Sequence, residues 1–262
     1  MLLAIDIGNT NVHLGLWNGD GWRLSWRART VENKMPDEYA VLVRNFLDTA
    51  DVGAGAITGV IVSSVVPPLT LAFTELSQRY LNLKPIVVRH DIDTGVKIDI
   101  EQPQQAGADR IVNAAGIVAY HHYPAIVIDF GTATTFDVVS AEGNLVGVAI
   151  APGVNVAHDA LVSRAARLHK VDLEPPPSSI GRNTIHAMQS GIFWGYVGLV
   201  EGLTQRIKDD MPDDNDNITV YATGGLATIF NEHTSVIDEI IPELTLNGLR
   251  AIYERNRGNQ SI

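Results

Sequence analysis

Two short segments of this chain place an aspartate beside a glycine and small polar side chains, each between two predicted strands. The first is DIGNTN at residues 6–11, and the second is DFGTATT at residues 129–135. Glycine lets the backbone approach a phosphate closely, and threonine and asparagine supply hydrogen-bond donors. A carboxylate beside a phosphate needs a cation between them, so Asp6 predicts Mg²⁺ at the phosphates.

Each segment also has a simpler interpretation. Gly-Asn is common in the turns of β-hairpins, and for the first segment alone a plain turn explains the sequence as well as a phosphate site does. The aspartate recurs, however, at equivalent positions, Asp6 and Asp129. This recurrence favours a phosphate clamp made from two copies of one hairpin.

The two aspartates belong to an internal repeat. Residues 2–29 and 125–153 share one order: apolar strand, aspartate and glycine turn, second strand, glycine-containing turn, third strand. Further helices and strands follow each three-strand meander. We therefore expect two α/β halves, residues 1–118 and 119–262, that face each other across a cleft, with ligands where strand ends and helix N-termini converge.

Hydrophobic periodicity and turn residues predict the elements that position these segments. The predicted helices span residues 36–50, 67–80, 105–121, 154–168, 184–208 and 244–255, and the predicted strands outside the meanders span residues 58–63, 85–88 and 218–222.

Several other residues could do chemistry or serve structure. The glycines at 224–225 could let a nucleotide's sugar or base pack on bare backbone, although such turns are common in α/β proteins. Asp109, at the start of a predicted helix, could accept a proton or simply interact with the helix dipole. Arg110 could hold a carboxylate or pair with a nearby acid. Thr184 could be a plain N-cap.

Other candidates have structural explanations that we favour. His158 and Asp159 lie on the predicted helix that follows APGV, where a solvated pair or a pair satisfied in the core is expected rather than a catalytic dyad. Phe193, Trp194 and Tyr196 recur at near-helical spacing, which predicts a core or dimer interface rather than a base-stacking platform.

Composition excludes several functions. The formal net charge of −11 argues against a nucleic-acid-binding surface, but ATP can still be held by metal ions and backbone amides. The absence of cysteine excludes disulfides and thiolate metal sites. No apolar run reaches the roughly 20 residues that span a bilayer, and residues 1–7 lack the basic leader of a signal peptide. We expect a cytoplasmic protein that binds neither nucleic acid nor membrane.

The motifs together resemble the phosphate 1, phosphate 2 and adenosine motifs of the acetate and sugar kinase, Hsp70 and actin superfamily. Within it, the chain resembles the type III pantothenate kinases almost from end to end. The shared motifs are DIGNTN at 6–11, GADR at 107–110 with Asn113, DFGTATT at 129–135, APGV at 151–154, GRNT at 181–184, SG at 190–191 and ATGG at 222–225.

This resemblance implies a fold and an activity. The fold is a pair of duplicated actin-like (ribonuclease H-like) domains, with mixed sheets flanked by helices and a central ATP cleft. The activity is ATP-dependent phosphorylation of pantothenate to 4'-phosphopantothenate, the first step of coenzyme A biosynthesis. The family uses ATP with Mg²⁺, requires K⁺ or NH₄⁺, and forms homodimers with the substrate pocket near the subunit interface.

The resemblance also implies residue roles. Asp109 is the proton acceptor, Asp129 holds the monovalent cation, and Asp6 meets Mg²⁺ through ATP. The ATP-binding residues are Asp6, Ile7, Gly8, Asn9, Thr10, Asn11, Val12, His13 and Thr132, and the pantothenate-binding residues are Gly107, Ala108, Asp109, Arg110 and Thr184. Ile100 stands where the family usually has a tyrosine, which predicts a different pocket wall at that position.

Two other functions fit the same motifs. One is a kinase of this fold with another acceptor, such as a sugar or a carboxylate. Such relatives generally carry longer inserted subdomains, for which this chain has little room. The other is a non-catalytic actin-like ATP-binding or transcription-accessory protein of the same family. Asp109 within GADR discriminates against the second, because a nucleotide switch does not need an acid there.

Overall fold

The computed structural model describes residues 1–212 and 217–260 of the chain. These residues form two compact units. The first comprises Met1–His122, Gly143–Leu145 and the segment that starts at Glu243, and the second comprises Tyr123–Glu142 and Val146–Pro242. The predicted halves, 1–118 and 119–262, describe the repeated sequence pattern and stay a prediction.

The first unit contains a five-stranded mixed sheet with the strand order β3-β2-β1-β4-β5. β1 pairs antiparallel with β2 and parallel with β4, so the meander is extended by parallel strands on its other side. The strands are β1 (Leu2–Ile7), β2 (Asn11–Trp17), β3 (Trp22–Arg29), β4 (Gly59–Ser64) and β5 (Ile86–Val87).

Helices cover both faces of this sheet. On one face, α1 and α2 pack on alternate residues of the strands, and the core there includes Leu3, Ile5 and Ile7. The opposite face of β1 and β4 meets α3 and α8. The helices of this unit are α1 (Pro36–Thr49), α2 (Pro67–Tyr80), α3 (Ala108–Tyr120) and α8 (Leu244–Asn256), with short 3₁₀ turns at Ala54–Ala56, Pro103–Gln105 and Arg257–Gln260.

The second unit repeats the first. Its sheet has the order β8-β7-β6-β9-β10, which is the order of the first sheet element for element. β6 pairs antiparallel with β7 and parallel with β9, as β1 does with β2 and β4. The strands are β6 (Ala125–Phe130), β7 (Ala133–Val139), β8 (Leu145–Pro152), β9 (Thr219–Gly224) and β10 (Glu239–Ile240). The predicted duplication of an α/β fold is confirmed.

An aromatic core holds the helices of the second unit to its sheet. Phe130, Phe193 and Phe230 are almost fully buried and their rings stack in pairs with centroids 5.4 Å apart. Rings at this separation add to the free energy of simple burial. The helices are α4 (Val154–Arg164), α5 (Thr184–Gln189), α6 (Gly195–Asp210) and α7 (Ala227–Asn231).

Three predicted helices differ from those observed. The helix predicted over residues 154–168 ends at Arg164. The helix predicted over residues 184–208 is interrupted by a π-helical segment, Ser190–Trp194, between α5 and α6. A π segment adds one residue to the turn and rotates everything that follows. The helix predicted over residues 105–121 begins only at Ala108, because Pro103–Gln105 forms a separate 3₁₀ turn. Across the described part of the chain, no helix is both long and apolar enough to cross a bilayer.

Candidate active site

The first candidate hairpin lies at the carboxyl end of β1. Asp6 is in register with His13 of β2 and with Ser63 of β4. Residues that pair in register point to the same face of a sheet, so these three polar side chains form a row across β2, β1 and β4. Ile7 and Val12 point to the opposite face and are fully buried in the core, so only their backbone could contact a ligand.

The turn of this hairpin is held closed from two sides. The Gly8 amide donates to the carbonyl oxygen of Asn11 at 3.0 Å. Thr30, just after β3, donates its hydroxyl to the Gly8 carbonyl at 2.6 Å and its amide to the Thr10 carbonyl at 2.9 Å. Asn9, Thr10 and Asn11 remain exposed at the tip. A rigid turn with exposed polar groups suits a site for phosphate oxygens.

His13 is a neutral imidazole in this row. Burial, and secondarily the Arg27 guanidinium, lower the pKa of His13 from 6.5 to about 4. Its Nε2 is buried and meets no hydrogen-bond partner among the described residues. Ser63 Oγ is likewise buried without a hydrogen-bond partner in this part of the chain. Two orphaned polar atoms beside Asp6 indicate that the row is arranged to meet something other than protein.

Helix contacts bring the start of α3 to the same end of the first unit as Asp6. Arg250 of α8 lies over the rings of both Trp17 and Tyr120, 4.1 and 4.8 Å from their centroids. Trp17 pairs with Leu2 at the start of β1, so the end of α3 lies near the start of β1.

The start of α3 must then lie toward the other end of β1, which is the end that carries Asp6. The Thr245 hydroxyl, in the first turn of α8, donates to Asn113 Oδ1 at 2.9 Å. The next residue of α8, Leu246, packs on Gly15 of β2, two residues beyond His13. Asn113 lies one turn after Asp109, so Asp109 and Asp6 belong to the same end of the unit.

Asp109 occupies the first turn of α3, where the helix dipole favours a carboxylate. Its Oδ1 accepts from the Arg110 amide at 3.0 Å and from Arg110 Nη1 at 3.1 Å. The Asp109 side chain retains 33 % of its exposure, against 18 % for Arg110. The carboxylate is thus oriented by its neighbour and still open on one side. Of the two roles predicted for Arg110, pairing with a nearby acid is the one present in this structure.

The second candidate hairpin repeats the first around Asp129. Asp129 is in register with Thr135 of β7 and Thr223 of β9, both of which are buried. The Gly131 amide donates to the Ala133 carbonyl at 3.1 Å, and the Thr132 carbonyl accepts from the Gly153 amide at 3.1 Å. Thr132 itself is exposed. The surroundings of the Asp129 carboxylate are rich in neutral oxygen atoms, which are ligands that hard cations prefer.

Tyr196 links this hairpin to α6. Its hydroxyl is hydrogen-bonded to the hydroxyl of buried Thr134, and burial raises the pKa of Tyr196, with the charge of Asp129 as a smaller contribution. Tyr196 is the second residue after the π segment, which sets the direction in which it points. Its sequence position predicted only a core or interface residue. Its contact with the hairpin had no sequence signal, because a helical period does not reveal an added residue.

Tyr196 also lines a cavity of about 830 Å³ within the second unit, between α4, α5 and α6. The wall is mainly apolar, with Val154, Leu161 and Leu199. The predicted substrate residue Thr184 lies at its rim and is exposed. The volume is that of a small-molecule site.

Thr184 is not the N-cap of α5. That position belongs to Asn183, whose Oδ1 accepts from the His186 amide at 2.9 Å. The structural alternative for Thr184 was therefore wrong, because Asn183 satisfies the free amide at the start of the helix. The Thr184 hydroxyl is left available at the rim of the cavity.

The residues set aside from the sequence have structural roles. His158 is buried and its Nε2 accepts from the Val171 amide at 3.3 Å. Asp159 pairs with Lys170 on the surface, at 2.9 Å. Phe193 is fully buried in the aromatic core.

The carboxylate and imidazole side chains near the two hairpins can be compared with the ligands that a metal ion needs. Within residues 1–212 and 217–260, no group of three or more carboxylate or imidazole side chains clusters so as to hold a metal ion. A divalent ion near Asp6 would take most of its ligands from phosphate oxygens and water, as Mg²⁺ commonly does at nucleotides. The single carboxylate of the first hairpin, Asp6, fits that kind of site, because the phosphates of a nucleotide would supply the remaining negative charge.

Comparison with solved structures gives the class. A Campylobacter jejuni protein assigned to the Baf family of transcriptional activators matches with a TM-score of 0.59 at 19% identity, over 98% of this chain and 99% of that one. The activator of the 2-hydroxyisocaproyl-CoA dehydratase from Clostridium difficile matches with a TM-score of 0.55 at 12% identity, over 100% and 97%. The fold, two mixed five-stranded sheets flanked by helices, is that of the actin-like ATPases and sugar kinases.

Comparison of sequences gives the family. The family model of type III pantothenate kinases matches residues 2–206. The type III pantothenate kinase of Brevibacillus brevis is 48% identical over 259 residues, which cover 98% of this chain and 100% of that protein. The corresponding protein of an Exiguobacterium species is 46% identical over 257 residues, with the same coverage. The chain belongs to the type III pantothenate kinase family.

Proposed function

We propose that this protein is an ATP-dependent kinase that phosphorylates pantothenate to 4'-phosphopantothenate, the first step of coenzyme A biosynthesis. The observation that carries this is the family match over nearly the whole chain, with GADR intact at the start of α3. We also assign the activity to the cytoplasm.

We assign the role of proton acceptor to Asp109. Phosphoryl transfer to an alcohol has a loose transition state, so catalysis consists mainly of positioning and charge neutralisation. The hydroxyl proton needs only an aligned acceptor. The half-open carboxylate of Asp109, held by Arg110 at 3.1 Å, supports this role. Gly107, Ala108 and Arg110 would form the adjacent wall for pantothenate, and Thr184 would contribute a further hydroxyl.

We assign the phosphates of ATP to the first hairpin, Asp6 to His13, and to Thr132. The closed turn at Gly8 and the exposed tip at Asn9 and Thr10 support this assignment. Mg²⁺, when bound with ATP, would neutralise phosphate charge next to Asp6. In this proposal, the hairpin has one task, which is to hold the polyphosphate in a single orientation.

We assign a monovalent cation, K⁺ or NH₄⁺, to Asp129. One carboxylate flanked by Thr135 and Thr223 supplies a single negative charge with neutral oxygens around it. That balance suits a singly charged ion better than a divalent one, which would call for more carboxylates.

We also infer that the protein acts as a homodimer. Val146, Val148 and Ile150 of the edge strand β8 point to one face and are exposed, Ile150 by 62 %. Three apolar side chains in a row on an edge strand are a liability in a monomer. A second copy of the chain seated on this face would cover them.

The test is turnover by the purified protein with Mg²⁺-ATP, with and without pantothenate, in K⁺ and in Na⁺ buffer. We expect ADP release only with pantothenate, and faster in K⁺. Asp109→Asn should abolish turnover while ATP still binds, whereas Asp159→Asn, a surface acid paired with Lys170, should match the wild type. Normal turnover by Asp109→Asn would remove the assigned acceptor, and no pantothenate-dependent turnover would support a non-catalytic nucleotide-binding protein instead.

A further inference from the structure

Strand β3 carries two arginines beside the first hairpin. In the register of β2 and β3, Arg29 pairs with Asn11 and Arg27 pairs with His13. Paired residues point to the same face, so both arginines lie on the face that carries the row of His13, Asp6 and Ser63. Neighbouring strands are about 4.8 Å apart, a distance that an arginine side chain exceeds.

The end of β3 is fixed directly to the hairpin turn. Thr30, the residue after Arg29, donates its hydroxyl to the Gly8 carbonyl at 2.6 Å and its amide to the Thr10 carbonyl at 2.9 Å. The Arg29 backbone is therefore held one residue from the turn that is proposed to bind phosphate. Arg27 lies two residues further back and close enough to His13 to affect it electrostatically.

Arg27 and Arg29 are both exposed residues, and neither forms an ion pair or a side-chain hydrogen bond with the described residues. Most other arginines of the first unit are satisfied by protein. The paired ones are Arg44 with Asp48, Arg79 with Glu75, Arg89 with Asp91, Arg110 with Asp109, Arg250 with Glu254 and Arg255 with Asp93. Two unpaired arginines side by side stand out in a chain of net charge −11.

Charge explains why such groups are needed at this hairpin. The polyphosphate of ATP carries several negative charges, and Asp6 adds another at the same place. His13 contributes no positive charge at neutral pH, because its pKa is lowered to about 4. Arginine holds phosphate through two parallel N–H···O bonds and stays charged at all relevant pH values.

We propose that Arg27 and Arg29 are further ATP-binding residues, whose guanidinium groups bind oxygens of the outer phosphates of the nucleotide bound at the first hairpin. This inference rests on the proposed function in one respect, that ATP is the nucleotide. An edge strand can also carry charged residues to prevent pairing with another sheet, and that role requires no nucleotide. The two roles differ in what they do to affinity for ATP.

The test compares Mg²⁺-ATP and AMP binding by titration calorimetry for the wild type, Arg27→Ala, Arg29→Ala and the double variant. A hydrogen bond to a charged group is worth about tenfold or more in affinity. We expect Kd for Mg²⁺-ATP to rise about tenfold in each single variant and about a hundredfold in the double variant. AMP, which lacks the outer phosphates, should bind equally to all four. Arg44→Ala, on α1, should match the wild type.

A second readout is the dependence on ionic strength. At fixed K⁺, added NaCl should weaken ATP binding to the wild type more steeply than binding to the double variant, because two screened contacts are missing there. Arg29→Lys should recover part of the loss, since it keeps the charge but not the two-pronged geometry. Thermal unfolding of each variant shows whether the fold is retained.

Unchanged Kd for ATP in the double variant would overturn the inference, and so would an equal loss of ATP and AMP binding. A rise in KM for pantothenate with unchanged ATP affinity would also overturn it. Failure of the two proposals can be told apart. A wild type that binds Mg²⁺-ATP without phosphorylating pantothenate removes the proposed function alone, whereas an active wild type matched by the double variant removes only the role of the arginines.

Discussion

Gly224 lies directly against the carboxylate of Asp129. Its φ is +92°, a conformation that only glycine adopts easily. A Cβ placed there would come within 2.6 Å of the Phe130 carbonyl oxygen and 2.8 Å of Asp129 Oδ1. The glycine at the end of β9 therefore leaves room for the carboxylate of the second hairpin.

Gly224→Ala should lower the free energy of unfolding by about 2–3 kcal/mol, through backbone strain and overlap. It should also weaken the proposed activation by K⁺, because the Asp129 carboxylate must move to make room for the Cβ. Denaturant unfolding and turnover across a K⁺ series measure both effects. The control is Gly225→Ala, where an added Cβ meets nothing within 4 Å. Equal behaviour of the two variants would contradict the packing argument.

Tyr196→Phe removes the hydroxyl that is hydrogen-bonded to Thr134 and keeps the ring in the aromatic core. Thr134 is buried, so its hydroxyl would lose this partner. We expect a loss of about 1–2 kcal/mol in the free energy of unfolding and a larger change in KM for ATP than in kcat, because Thr134 belongs to the second hairpin. Tyr80→Phe, at an exposed hydroxyl bonded to Asp37, serves as the control. A variant with wild-type stability and KM would show that the contact is unimportant.

The pKa of His13 predicts a dependence of stability on pH. In the folded protein this pKa is about 4, compared with 6.5 for an imidazole exposed to water. Because this pKa is lower in the folded protein, the contribution of His13 to the free energy of unfolding is fully present above about pH 6.5. This contribution is lost as the pH falls toward 4, since only the unfolded chain takes up the proton in that range. The partial exposure of the ring limits the loss to about 1–2 kcal/mol.

His13→Gln should remove this contribution. Measured without nucleotide, the unfolding free energy of the variant should fall less than that of the wild type between pH 6.5 and 4. His90→Gln, at an exposed histidine, should follow the wild-type profile. Parallel profiles for the wild type and His13→Gln would contradict the assignment of a buried neutral imidazole.

Gly248→Ala should displace α3, the helix that carries Asp109, although Gly248 itself lies on α8. An added Cβ on Gly248 of α8 would overlap the carbonyl oxygen of Val112 in α3. In most helices this change favours folding by up to about 1 kcal/mol, but here the overlap should reverse the sign and cost about 1–3 kcal/mol. Because Asp109 lies in the first turn of α3, we also expect lower kcat. Gly198→Ala on α6, where the Cβ meets nothing within 4 Å, should be neutral or stabilising in thermal unfolding. A stabilised Gly248→Ala variant would refute the close packing of α3 on α8.

The sequence sufficed to predict the repeated fold because its signals are local. The apolar run that ends in Asp6 and the one that ends in Asp129 each predict a buried strand, and the two sheets share one strand order. The burial patterns of β1 and β6 are identical, with only the aspartate partly exposed. Family motifs then extended the prediction to the chemistry of Asp109.

Features that depend on distant or irregular contacts could not be predicted. The π segment Ser190–Trp194 inserts a residue that no hydrophobic period reveals, so the contact of Tyr196 with Thr134 was missed. An N-cap at Thr184 was one of the two roles considered for that residue, and the cap of α5 is Asn183, because either side chain can cap a helix. The register that puts Arg27 and Arg29 beside the hairpin depends on a bulge between Leu16 and Trp17.

The last helix of the chain packs on its first strand. α8 contacts β1 and α3, and its Leu246 fills the space over Gly15. During synthesis, the unit that carries Asp6 and Asp109 must wait for residues 244–256 to leave the ribosome before its sheet is covered on both faces. A nascent chain that stops short of α8 would thus contain every predicted site residue, from Asp6 to Thr184. It would still lack the helix that packs on β1 and α3.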